Sequence, residues 1–116
     1  MPSEKSMDEK SLLYGGQHVR DSVIVCEGPF DAINVGKGAV ATLGINVTTA
    51  QVNRLADYYK RVIVFDNEPN AQRRARALAD QLSIYPGETF IVNIDAKDPA
   101  EAKPSEIAAL RKFAGL

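Results

Sequence analysis

Glu27 and Asp31 follow one apolar run, Val23–Cys26, and Asp66 and Glu68 follow a second, Val62–Phe65. Runs this apolar and this rich in β-branched residues fit strands covered on both faces, as in a parallel sheet. In α/β proteins the carboxyl edge of such a sheet is where ligands bind. Four carboxylates gathered at that edge, with few cations nearby in the sequence, repel one another unless something positive sits among them. The chemistry this implies is that of a divalent cation such as Mg²⁺, held by oxygen ligands. Each acid also has a local explanation. Asp31 falls in the first turn of a helix, where a negative charge complements the helix dipole. Asp66 or Asn70 can cap the next helix, with Glu68 in its first turn and Pro69 setting φ. Glu27 is harder to explain locally, because an acid beside a buried strand needs a partner.

The elements that must position these acids alternate along the chain. Ser22–Cys26 reads as strand one. Pro29 opens a short helix through Phe30, Ala32 and Ile33, ended by Gly36 or Gly38, and Gly28 before it lets the chain turn sharply and leaves room for a ligand. Ala39–Leu43 reads as strand two, stopped by Gly44. The segment from Thr48 to Gln51 matches a capping box, and Val52, Leu55, Ala56 and Tyr59 then fall on one helical face. Arg61–Phe65 is strand three, Pro69–Leu82 a helix, Thr89–Ile94 strand four, and Ser105–Ala114 a last helix after the turn-like stretch Asp95–Pro99. The expected fold is an α/β three-layer sandwich with a four-stranded, mainly parallel sheet and right-handed crossovers. The acids of strands one and three can share an ion only if those strands are neighbours, which favours the order 2-1-3-4.

Length and composition set bounds. A chain of 116 residues makes one domain, short for a complete multi-step enzyme. Residues 1–21 read as a leader or linker, with Leu12, Leu13 and Tyr14 as a small apolar patch, and residues 22–116 as the domain. A net charge of −1 gives no global positive field to draw it to nucleic acid, so any such contact needs a local basic patch or another domain. The single cysteine, Cys26, excludes an internal disulfide and a cysteine-rich zinc site, and its strand setting makes it a small core residue. The polar start of the chain has no signal-peptide core and no segment is long enough to cross a membrane, so the expected location is cytoplasmic. His18 has no visible partners. Gly36 and Gly38 precede a strand, which excludes a dinucleotide fingerprint.

The two acid clusters, in this order, resemble the motifs of TOPRIM domains, the metal-binding modules of bacterial-type primases, type IA and type II topoisomerases and some nucleases. Glu27-Gly28-Pro29-Phe30-Asp31 is similar to that family's E-G-x-x-D, and Asp66-Asn67-Glu68 to its D-x-D. Ala41–Gly44 with Thr48 and Lys97–Glu101 resemble segments of the primase branch, and Leu12–Gly15 the approach to this domain in phage and mobile-element primase-like proteins. The resemblance covers residues 22–103 or so. Glu68 departs from it by replacing an Asp, Asn67 by replacing a Gly, and Ala100 by removing an acid. It implies Glu27, Asp66, Glu68 and Asp98 around Mg²⁺ or Mn²⁺, Glu27 and Asp31 as the catalytic pair, and Lys97, Arg73 and Arg74 as contacts to phosphate. Most of the arginines on the third helix also fit a solvated face.

The implied activity is nucleotidyl transfer in DNA replication, with nucleic acid and nucleoside triphosphates as partners and other primase or helicase domains supplied elsewhere. Alone, the chain is expected to bind metal weakly and to make primers poorly. Two other readings use the same acids. A small TOPRIM nuclease would hydrolyse phosphodiesters, and a receiver-like signalling domain also places acids after strands one and three, although it resembles a five-stranded fold with a late lysine. A topoisomerase would need a nucleophilic tyrosine on a separate domain.

Overall fold

A computed structural model of the protein describes residues 20–43 and 47–116; Leu12–Gly15, His18 and Gly44 lie outside them. The elements are β1 (Arg20–Cys26), α1 (Pro29–Val35), β2 (Ala39–Ala41), α2 (Thr49–Leu55), β3 (Tyr58–Ile63), α3 (Pro69–Leu82), β4 (Glu88–Ile91), a 3₁₀ turn (Pro99–Glu101) and α4 (Pro104–Ala114). The strands form one sheet in the order β2-β1-β3-β4, and every pairing is parallel. Val25 stands opposite both Val40 and Ile63, and Ile63 in turn opposite Ile91.

Alternation along the central strands explains why they read as unbroken apolar runs. Val23, Val25, Ile63 and Phe65 face α2 and α3, where Val52, Leu55, Ala71, Ala75, Leu78 and Leu82 cover them. Ile24, Cys26, Val62 and Val64 face the other way, onto Val35 of α1 and Ile107, Leu110 and Ala114 of α4. Both faces are therefore dry, and a polar residue at any of these positions would be stranded. Cys26 belongs to this interior, and burial pushes its thiol up to about 12.

Caps set the helix starts. Thr48 Oγ1 accepts the Gln51 N–H while Gln51 Oε1 accepts the Thr48 N–H, the reciprocal pair the sequence announces. Glu68 caps α3 by accepting the Ala71 N–H at 2.8 Å, and Pro69 occupies the position after the cap. Gly36, at φ 103°, ends α1.

Several boundaries differ from the sequence expectation. Tyr59 belongs to β3, because α2 stops at Leu55 and the strand begins at Tyr58. The helical spacing of Tyr59 from Val52 is a coincidence overridden by pairing, with Lys60 opposite Ser22 in β1. Strand two is shorter than expected, since Leu43 turns to φ 65° and gives its N–H to the Glu27 carbonyl. Strand four ends at Ile91, three residues early, at the sheet's edge, where β3 is its one partner among the described residues. The chain bends at Glu27 and Gly28 between β1 and α1, but Gly28 is extended at φ −114°, a conformation open to any residue. A side chain there would meet Asp31 Oδ2 at 3.3 Å, so the glycine gives clearance to that carboxylate.

Candidate metal centre

Three loops meet at the carboxyl edge of the sheet. Beyond the paired residues of β1 and β3, the Val64 N–H still bonds to the Val25 carbonyl and the Thr42 N–H to Cys26. The ladder thus carries Glu27 and Asp66 forward side by side. The third loop comes from the chain after β4. Asn67 fastens it to the second loop, its backbone N–H on the Lys97 carbonyl at 2.8 Å and its side chain on the Ile94 carbonyl at 3.2 Å. Gln72, from the first turns of α3, holds the Asp66 carbonyl at 3.0 Å.

Asp31 completes the assembly. It is 7 % exposed, with Oδ2 accepting the Gly28 N–H at 3.2 Å and Oδ1 accepting the Ala100 N–H at 2.9 Å. One carboxylate therefore fixes the start of α1 and also ties it to the 3₁₀ turn. Asn34, one helical turn on, repeats the tie by donating to the carbonyls of Pro99 and Ala102. These bonds bring Asp98 across to Asp31, while Asp98 Oδ1 caps the 3₁₀ turn at the Glu101 N–H.

The result is a trio. Asp31, Asp66 and Asp98 each present a carboxylate oxygen, all within 4.8 Å of one another. Asp66 Oδ1 is buried and has no hydrogen-bond partner. Burial first, then the charges of Asp31, Glu27, Asp98 and Glu68, raise the Asp66 carboxyl to about 6. Asp31 is also raised, chiefly by burial, against the opposing effect of its two backbone bonds. Like charges held this close, with an oxygen left unsatisfied, lack a positive partner. The donors are all oxygens, the ligand type that hard divalent cations such as Mg²⁺, Mn²⁺ and Ca²⁺ take. On these two observations the residues fit such an ion.

The remaining sequence candidates lie around this trio. Glu27 sits close enough to raise Asp66, but its Oε2 accepts from Arg74 Nε at 2.7 Å. Glu68 spends one oxygen on its helix cap and is exposed. Neither belongs to the group of three. Lys97 and Arg73 are exposed, and Arg73 bonds to the Asn70 side chain. Arg74 is thus a neighbouring cation where few were expected, and it occupies an acid instead of solvent. Sequence reasoning passes over Asn34 and Gln72 and marks Asn67 only as a departure from the motif, yet the amides of all three hold the loops together. No spacing rule marks them, because each reaches a backbone carbonyl set by the fold.

A parallel α/β sheet whose carboxyl edge gathers aspartates from the start of α1 and from two loops defines a class of acid-rimmed α/β domain. The Toprim-like family model matches residues 24–102, and the chain belongs to that family. A crystal structure of the Aquifex aeolicus primase, comprising its zinc-binding and RNA polymerase domains, is similar at 25% identity and a TM-score of 0.67. The likeness covers 80% of this chain and 25% of that one, so the chain spans about a quarter of the primase chain it matches. No curated protein sequence matches it.

Proposed function

We propose that this domain is the divalent-metal-binding phosphoryl (nucleotidyl) transfer module of a primase-like protein that acts on nucleic acid. The observation that carries the reading is the trio Asp31, Asp66 and Asp98, within 4.8 Å of one another, with an unpartnered oxygen on Asp66. Membership of the Toprim-like family and the likeness to a primase support it.

Asp31, Asp66 and Asp98 would hold Mg²⁺ or Mn²⁺, with Glu68 next to them on the same loop. A bound cation supplies charge neutralisation for phosphate oxygens. Glu27, beside the trio, is the group we assign to accept the proton of an attacking hydroxyl. Lys97 and Arg73 are the exposed cations available to phosphate. Template reading and nucleotide delivery fall to other domains, consistent with the quarter of the primase chain that this one spans. A cytoplasmic setting goes with this role.

The test is a Mg²⁺ titration of the full 116-residue chain followed by amide NMR. Shifts confined to residues 27–31, 66–68 and 95–101 are expected. No localised shift at millimolar metal removes the reading. With metal bound, cleavage of an added nucleic acid that Glu27→Gln abolishes would move the site to the nuclease class.

A further inference from the structure

Glu27 differs from the three aspartates in having a cation of its own. Arg74 projects from the second turn of α3 and donates Nε–H to Glu27 Oε2 at 2.7 Å, with side-chain exposures of 29% and 13%. This is a short, charge-assisted and partly buried bond. Glu27 reinforces the guanidinium's charge, which Glu68 and Asp66 also favour. If Glu27 turned to a cation among the aspartates, a permanently charged guanidinium would lose its bonded carboxylate and face that cation with only the more distant Glu68 and Asp66 charges to offset it. A partly buried ion pair that loses one member is costly for the same reason. While the pair holds, Glu27 screens Arg74 from the cation, and both charges stay compensated.

We propose that Arg74 is a positioning residue that keeps the Glu27 carboxylate off the shared cation. Asp31, Asp66 and Asp98 are then the protein's donors, and Glu27 stands beside them, paired with Arg74 and not coordinating. This inference rests on the metal-binding reading above. It makes Glu27's contribution to cation affinity depend on Arg74, which a merely charge-balancing contact does not require.

The experiment is a double-mutant cycle read by Mn²⁺ calorimetry on the full chain: wild type, Glu27→Gln, Arg74→Ala and the pair together, with circular dichroism confirming the fold. Glu27→Gln is expected to weaken Mn²⁺ by no more than about threefold when Arg74 is present, because the lost charge acts only at a distance. In the Arg74→Ala background the freed carboxylate coordinates, and the same substitution costs at least about tenfold. Arg74→Lys, which keeps a cation on Glu27, retains the wild-type pattern. An equal loss from Glu27→Gln in both backgrounds overturns the proposal, whether that loss is small or large. Should Arg74→Ala fail to fold, Arg74→Gln takes its place in the cycle. Absence of Mn²⁺ binding by the wild type would overturn the metal-binding reading itself and this inference with it, an outcome distinct from an additive cycle.

Discussion

The sheet buries charge at both ends and treats it in opposite ways. At the carboxyl edge, Asp66 keeps a buried oxygen with no hydrogen-bond partner. In the opposite half, Arg61 of β3 is 1 % exposed and its donors are satisfied by neutral acceptors. Its Nε–H goes to Thr89 Oγ1 at 2.9 Å, Nη1 to the carbonyls of Tyr58 and Pro86, and Nη2 to that of Leu82. One charged side chain thus staples β3, β4, the turn before β4 and the end of α3. Burial lowers its basicity, though the group stays charged. A buried ion whose every nitrogen finds an acceptor serves the fold. A cluster of under-bonded ions is a demand for something from outside.

The largest effects should come from breaking the satisfied end. Arg61→Met keeps the volume but removes the bonds to Thr89 Oγ1 and to the Tyr58, Pro86 and Leu82 carbonyls, and a loss of ~3 kcal/mol or more is expected in urea unfolding. Lysine cannot rescue it, having no planar fork to reach four acceptors. Gly87, beside Pro86 in the same turn, stands at φ 113°, and a Cβ there would lie 2.3 Å from the Tyr59 carbonyl. Gly87→Ala combines left-handed strain with that clash and should cost about 2–3 kcal/mol. If either change is nearly neutral, this end is not the structural clamp described.

At the acidic end the signs reverse. Asp66→Asn removes a charge from a crowd of like charges, so the metal-free chain should gain about 0.5–1 kcal/mol while Mn²⁺ affinity falls at least about tenfold. Stability against pH has the same logic. The Asp66 carboxyl is raised from 3.8 to about 6 in the fold, so between those values the native state holds more proton than the unfolded chain. The metal-free protein therefore loses this contribution as pH rises through 6, and Asp31, raised as well, adds in the same direction. Excess Mg²⁺ should cancel the loss, and Asp66→Asn should flatten the slope. A slope of the opposite sign in chelator would show that these carboxylates are not frustrated.

The architecture was legible because both faces of β1 and β3 are buried, which leaves no alternation to misread. The strand order was legible for a different reason: acids after strands one and three make sense together only if those strands are adjacent. The site was half legible. Asp66 and Asp98 stand where motif and turn chemistry point, but Asp31 looks locally like a helix-dipole acid, and its bond to Ala100, 69 residues away, with the Asn34 bonds to the same turn, brings it into the trio. Arg74 lies 47 residues from Glu27 on a helix face that periodicity assigns to solvent. Arg61 reads as an ordinary strand residue, since no local pattern says that acceptors from Leu82, Pro86 and Thr89 will converge on it with the nearby Tyr58 carbonyl. Contacts of this kind are made by topology.

The smallest expected effect sharpens the contrast between the two ends. Arg61 is held by its own side-chain bonds, whereas Asp66 is held through its backbone. Gln72→Ala removes the 3.0 Å bond to the Asp66 carbonyl and should cost about 0.5–1 kcal/mol of stability. Asn67 still fastens the same loop to the Ile94 and Lys97 carbonyls, so Mn²⁺ affinity should fall only about threefold, less than the range for outer-shell groups. Asn67→Ala alone should behave similarly, because Gln72 and the Asn67 backbone bond remain. Together the two substitutions should cost more affinity than the sum of the single effects, since each amide masks the loss of the other. If they are additive, the loop is positioned by the β3 ladder alone, and the carboxyl edge is as rigid without its amides as the Arg61 end is with its guanidinium.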